Sequence, residues 1–173
     1  MEILENRQQW LQEFENGWLA QFKQTGEMDW KRYNRPHNHQ IPGGPGIVLQ
    51  QSRLVLISSA GSYLKHRQEP FAAEDPMGDY SIRLYPGSTD LDELAFSHTH
   101  YEHSAVEQDP QVLVPLRHLR RMVKDGLIGE LAPNVISFMG YLPLATRLVD
   151  ETIPVILQAV EQQDADAALL VPA

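Results

Sequence analysis

The chain has no cysteine anywhere in its 173 residues. That absence removes disulfides, thiolate nucleophiles, cysteine metal ligands and any thiol redox chemistry performed by the chain's own residues. A bound metal would have to be held by histidine and carboxylate. A long apolar run is missing too. Stretches such as Ala167 to Val171 fall far short of the roughly 20 residues that a bilayer-spanning helix needs. No basic stretch followed by an apolar run opens the sequence, so no membrane partner and a cytoplasmic location are expected. Basic residues are scarce, 14 against 23 acidic, for a net charge of -9. Such a charge repels phosphate backbones. The one basic cluster, Arg117, Arg120, Arg121 and Lys124, reads as the solvated face of a helix, so no nucleic-acid partner is expected.

What is present is ordinary for a globular chain, with 42% hydrophobic and 21% charged residues. Trp10, Phe14, Trp18 and Phe22 recur every four positions, joined by Leu11 and Leu19, and this spacing predicts an amphipathic helix over Glu2 to Lys23. Such a stripe serves either to pack the helix on its own domain or to dock it on a partner subunit or a second copy. Residues 30–46 are dense in Pro, Gly and Asn and read as an ordered connector or a loop over a site, with His37 and His39 in it. The expected organisation is therefore 1–46 as N-terminal helix and connector, and 47–173 as an α/β domain.

Within that domain, Arg53 to Gly61 is a continuous apolar run that turns small and polar at its end, the pattern of a buried parallel strand and here the expected central one. Ser81 to Pro86, Val135 to Tyr141 and Ala167 to Ala173 read as further strands, the last of them buried. Val112 to Pro115 reads as a short strand or as the lead-in to a helix over Leu116 to Asp125 that Gly126 stops, and Leu148 to Gln163 carries helical spacing. The fold class expected is α/β, a mostly parallel open sheet with flanking helices, Rossmann-like or flavodoxin-like, plus the N-terminal helix. No Gly-x-Gly-x-x-Gly loop is present. Ligands of open α/β sheets bind beyond the carboxyl ends of strands, which points to Ser58, Ser59 and Gly61, although a Ser-Ser-Ala-Gly sequence also serves as a tight strand exit.

The segment with most chemistry is Ser97-His98-Thr99-His100-Tyr101-Glu102-His103-Ser104. His98 and His100, two apart, share one side of an extended segment, and His103 can swing back towards them after a turn. Three converging imidazoles at His98, His100 and His103 would suit a divalent metal with an activated water, and Glu102, Glu107 or Asp109 could add a carboxylate. The other reading is that these histidines bind backbone carbonyls or a carboxylate substrate without any metal. The His-x-His-x-acid-His spacing is also that of the metallo-β-lactamase superfamily, but Glu102 stands where that family has Asp and Ser104-Ala105 replaces its Gly, so the similarity is local.

A wider resemblance runs through the chain. Leu54 to Gly61, Gln68-Glu69-Pro70-Phe71 with Glu74-Asp75-Pro76, Ser97 to Ser104, Gly129 to Pro133 and Ser137-Phe138-Met139-Gly140-Tyr141 resemble, in order and spacing, the selenoprotein B family of glycine, sarcosine, betaine and D-proline reductases. The resemblance spans roughly residues 50–173. It implies an α/β fold and, in full members, reductive cleavage at the α-carbon of an amino acid or its N-methylated derivative. In those members a selenocysteine, with a nearby cysteine, directly follows the strand that corresponds to Ala168-Leu169-Leu170-Val171-Pro172. This sequence reaches Ala173 without either residue.

Three readings follow from that departure: a shortened relative that kept the pocket for another reaction, a subunit completed by a partner chain, or a selenocysteine codon read as a stop. The function expected is a reductase-family protein that binds a small amino-acid-like or carboxylate ligand through Ser58, Ser59, Gly61, Glu69, His98 and Thr99. His100 or His103 would be its acid-base group, because imidazole titrates near neutrality. The alternatives are a metal-dependent enzyme at His98, His100 and His103, and a noncatalytic partner subunit.

Overall fold

The structure, a computed structural model, describes residues 3–40, 44, 46–99 and 101–173. Glu2, the connector residues Ile41, Pro42, Gly43 and Pro45, and the candidate His100 lie outside that description.

The aromatic stripe folds as helix α1 (Arg7–Phe14), a π-helical turn (Glu15–Leu19) and helix α2 (Ala20–Thr25), which ends at Gly26 with φ of 72°. In a regular α-helix, residues four apart drift around the axis by about 40° per step. The wider π turn takes up part of that drift. Trp10, Phe14, Trp18 and Phe22 thus stay stacked in one column, with successive rings 5.2, 5.6 and 5.5 Å apart and within 19° of parallel. The chain's own residues cover the first three of these rings and part of Phe22. Trp10, Phe14 and Trp18 are buried with Ala145, and Tyr33, Met77, Leu144 and Val149 pack against them. The Arg7 guanidinium grips the Asp150 carboxylate with both of its terminal nitrogens, and Tyr33 Oη donates to the carbonyl of Pro143 at 2.9 Å. The described residues between Gly26 and Leu49 form neither helix nor strand, as the Pro, Gly and Asn content predicts.

Strand β1 (Arg53–Ser58) is central, and all but its first residue are buried. Strands β2 (Ser62–Leu64), β3 (Ile82–Pro86) and β4 (Leu94–Phe96) follow, then helices α3 (Ser104–Gln108) and α4 (Leu116–Lys124), strands β5 (Glu130–Leu131) and β6 (Asn134–Phe138), helices α5 (Ala145–Arg147) and α6 (Ile153–Glu161), and strand β7 (Ala167–Val171). On one side β1 pairs in parallel with β5 and then with β6, and on the other side with β7 along its whole length. Ala132-Pro133 separates β5 from β6, and Pro133 has no N–H to give a ladder. β3 lies antiparallel on β6, so the sheet is mixed and mostly parallel. β2 and β4 form a separate antiparallel pair.

Helices cover both faces. Leu116 and Leu119 of α4 pack with Leu54, Leu56, Val114 and Ile128, while Ala159 of α6 packs with Val55, Ile57 and Ile136. The α/β class, the flanking helices and the N-terminal helix are as predicted. The strand order does not establish a Rossmann-like or flavodoxin-like arrangement, since the chain returns from β2 into an antiparallel β3 rather than through a helical crossover. Val112 belongs to a 3-10 turn (Pro110–Val112) rather than to a strand. One expectation is corrected: β7 is an edge strand, and Ala168 and Leu170 are exposed where a buried strand was expected. A run of small and apolar residues has the same pattern at an edge as at a centre.

Candidate functional site

Gly61 leaves β1's exit with φ of +64°, a conformation that glycine adopts without strain, and so brings the backbone directly beneath Ser97. The Ser97 N–H donates to the Gly61 carbonyl at 2.9 Å, and Gly61 N–H donates to Phe138 O at 2.9 Å. From there the histidine segment is tied down on two sides. Ser97 Oγ donates to Phe71 O at 2.9 Å and Thr99 Oγ1 to Ala73 O at 3.1 Å, while Tyr101 Oη donates to Ala60 O at 3.2 Å. Burial pushes the Tyr101 phenol up to about 12, so it stays a protonated donor at neutral pH.

His103 does swing back, as the turn predicts, but it meets the carbonyl oxygen of His98 through Nε2. A carbonyl only accepts, so Nε2 carries a proton, and Nδ1 is the ring nitrogen left to gain or release one. The Tyr101 ring stacks on His103 at 4.5 Å and contacts the buried His98 ring at 4.7 Å. Glu102 is exposed and accepts from both the N–H and the hydroxyl of Ser104 at the start of α3. The Ser104 hydroxyl first, then its N–H and the charge of His103, hold that carboxyl below the usual range.

Two adjoining clefts share Phe96 and His103. The smaller, about 390 Å³, has His98, Thr99 and His103 on one wall and Phe71, Ala73 and Glu74 on the other. The larger, about 660 Å³, brings Lys65 and Arg117 together with Asp92, Glu107 and Asp109. Of the residues expected to bind a ligand, His98 and Thr99 line the smaller cleft. Ser58 is fully buried and donates its hydroxyl to Leu113 O at 2.8 Å, and Ser59 Oγ accepts from the Ala173 N–H at 2.9 Å. Gly61 lies under the segment. The Glu69 side chain is exposed, and its carbonyl accepts from Arg83 Nε at 2.9 Å. Among the described residues, no group of three or more His, Asp or Glu is placed to hold a metal ion. His103, with Nε2 on a carbonyl, has only Nδ1 to offer one.

Sequence reasoning missed the residues that hold the opposite wall. Asp79 accepts from Ala72 N at 2.9 Å and from the N–H and hydroxyl of Ser81, while Arg83 lies 4.2 Å over the Phe71 ring and donates to the carbonyls of Glu69 and Pro70. The signal was present: Asp79-Tyr80-Ser81 is an aspartate two residues before a serine, the spacing of an Asx turn. Burial opposes the charge on Asp79, but the Ser81 hydroxyl, the two N–H groups and Arg83 outweigh it and hold the carboxyl below its usual range.

A native pKa depressed in this way contributes stability that is present above the unfolded-state pKa, and that stability is lost as pH falls through the native value. Asp79→Ala is therefore expected to lower unfolding free energy by about 1–3 kcal/mol at neutral pH, and the gap between variant and parent to close below about pH 4. Urea titrations at neutral and acid pH measure this. A gap that does not change with pH would show that the carboxylate's charge is not what matters.

The fold and site define an α/β domain whose parallel strands deliver their carboxyl ends to a polar, histidine-bearing loop. The sequence profile of the family described as glycine/sarcosine/betaine reductase selenoprotein B matches residues 27–173, and the chain belongs to that family. Among curated proteins the chain is similar to D-proline reductase subunit gamma of Acetoanaerobium sticklandii, with 30% identity over 122 residues that cover 70% of this chain and 49% of that protein. It is also similar to the sarcosine reductase complex component B subunit beta of Peptoclostridium acidaminophilum, with 28% identity over 120 residues that cover 68% of this chain and 28% of that protein. The chain thus spans about half, or less, of the length of these relatives. No solved structure matches. The profile begins just beyond Thr25, so the aromatic helix lies outside the matched region. Among the described residues, no helix is long and apolar enough to cross a membrane.

Proposed function

We propose that residues 1–173 are the substrate-holding part of a reductase of the glycine, sarcosine, betaine and D-proline type, acting in the cytoplasm. A small amino-acid-like or carboxylate ligand lies in the smaller cleft against His98, Thr99 and His103. The observation that carries this reading is the anchoring of the histidine segment at the carboxyl end of β1. Tyr101 is bonded to Ala60 and Ser97 to Gly61, while the end of β7 meets the same turn through Ser59 N–H to Val171 O at 3.1 Å. Parallel α/β sheets hold their ligands at such strand ends.

In this reading His103, protonated on Nε2 and basic at Nδ1, is the acid-base group. Because the chain contains no cysteine, the selenol or thiol that reduction needs is supplied by polypeptide other than these residues.

Saturation-transfer NMR of the purified chain with glycine, sarcosine, betaine and D-proline tests the proposal. At least one of the four is expected to bind saturably at millimolar concentration. His103→Ala should weaken that binding by about tenfold, the effect of losing about 1.4 kcal/mol of contact energy, with an unchanged circular dichroism spectrum. Lys124→Ala, exposed on α4, should leave binding unaltered. No saturable binding by any of the four, or full binding by His103→Ala, would overturn the assignment.

A further inference from the structure

The two edges of the sheet are finished very differently. At the β3 edge, Gln68 Nε2 donates to Leu84 O at 2.7 Å, and Arg83 folds outward onto the carbonyls of Glu69 and Pro70, so neighbouring side chains occupy that border. β7 has nothing comparable. Among the described residues its hydrogen bonds go only towards β1 and the turn that follows β1.

The composition of β7 offers no protection either. Ala167-Ala168-Leu169-Leu170-Val171 contains no charge and no proline, the devices with which exposed edges avoid pairing. Its side chains alternate. Ala167, Leu169 and Val171 pack on the α4 side of the core. Ala168 and Leu170, in register with Val55 and Ile57, face the α6 side, where Leu170 is 68% exposed although Val55 and Ile57 are covered. Parallel strands are normally buried on both faces, so an apolar parallel strand left open on one face and one edge is an unfinished position in the sheet.

Resting on the reductase reading above, we propose that the outer edge of β7 pairs with a further β-strand from the part of the reductase that residues 1–173 do not span. That strand covers Leu170 and carries the sheet onward. The length of the relatives argues for this occupant over a second copy of the chain, because the stretch aligned with this chain covers only 49% of the D-proline reductase subunit gamma. An added strand gains affinity from main-chain hydrogen bonds and specificity from its alternate side chains, so the recognition element is an extended segment with an apolar residue opposite Leu170.

A photo-crosslinking residue placed at Leu170 in the tagged full chain, expressed in the cells that make it, tests this, with the same residue at exposed Val48 as a control. Mass spectrometry should find Leu170 joined to peptides whose sequence matches the unspanned part of the relatives, and the control should not yield them. Added as a second change, Ala168→Lys should abolish the cross-link while leaving the melting curve of the chain within a few degrees. Cross-links to a second copy of this chain, supported by a two-chain mass in light scattering that Leu170→Lys reduces to one, would overturn the proposal. So would a cross-link pattern identical to that of Val48. Ligand binding by the isolated chain is a separate readout, so loss of this inference and loss of the substrate reading can be told apart.

Discussion

Trp18→Ala is expected to lower the free energy of unfolding by about 3–5 kcal/mol, while Trp18→Phe costs less than about 1.5 kcal/mol. Trp18 has no exposed surface and lies within 5.2 to 5.6 Å of Phe14, Phe22 and Trp30, with Tyr33 edge-on at 6.1 Å. Truncation to alanine opens a cavity at the centre of that column and removes four ring contacts, each worth about 0.5–1.5 kcal/mol beyond area burial. Phenylalanine keeps most of the stacking. It also removes the indole N–H, which is buried without a hydrogen-bond partner among the described residues, and an unpaired buried donor costs about 1–3 kcal/mol. The lost volume and the relieved donor therefore offset one another. Urea titrations of the two variants, read by circular dichroism, make the comparison. If the alanine variant stays within about 1 kcal/mol of the parent, the N-terminal column is not coupled to the fold; if phenylalanine is as harmful as alanine, the accounting for the indole nitrogen fails.

The same column shows what a sequence discloses and what it conceals. Four aromatics at four-residue spacing announce a helix and its buried face, because side-chain direction follows directly from backbone period. They do not announce the π turn, which depends on how far stacked rings can follow a regular helix before they drift apart. β1 was legible for a similar reason: a run of apolar residues ending in Ser-Ser-Ala-Gly has few places to go other than the middle of a sheet. β7 has an equally apolar run, yet periodicity carries no information about how many neighbours a strand has, and its edge position emerged only from the pairing. In the candidate site, the return of His103 towards His98 was legible from chain length. The bond to the His98 carbonyl was not, because that depends on which nitrogen the ring presents. Ser58 was identified by its place at a strand end, but its hydroxyl is occupied by Leu113 O, a partner 55 residues away in sequence. Asp79, which holds the far wall of the cleft, was overshadowed by the more conspicuous Glu69. The resemblance to the selenoprotein B family had the widest reach, since it rests on several short motifs in register.

Gly61→Ala is expected to cost about 2–4 kcal/mol of stability and to weaken the ligand binding proposed for the smaller cleft by more than about tenfold. Two effects add. At φ of +64° any residue with a Cβ is strained, by about 1–2 kcal/mol. A Cβ there would also sit 2.6 Å from the Ser97 carbonyl oxygen and 3.2 Å from its carbon, both backbone atoms that cannot step aside without moving the chain. The chain that moves is Ser97-His98-Thr99, with the hydrogen bonds from Ser97 to Phe71 and from Thr99 to Ala73. Gly126 supplies the control. It has φ of +71° at the end of α4 but nothing within 4 Å of where its Cβ would be, so Gly126→Ala carries the conformational strain alone, about 1–2 kcal/mol, and leaves the cleft untouched. The excess cost of Gly61→Ala over Gly126→Ala measures the contact with Ser97. If the two variants lose the same stability and both keep full ligand binding, the close approach of Gly61 to Ser97 does not hold the histidine segment in place.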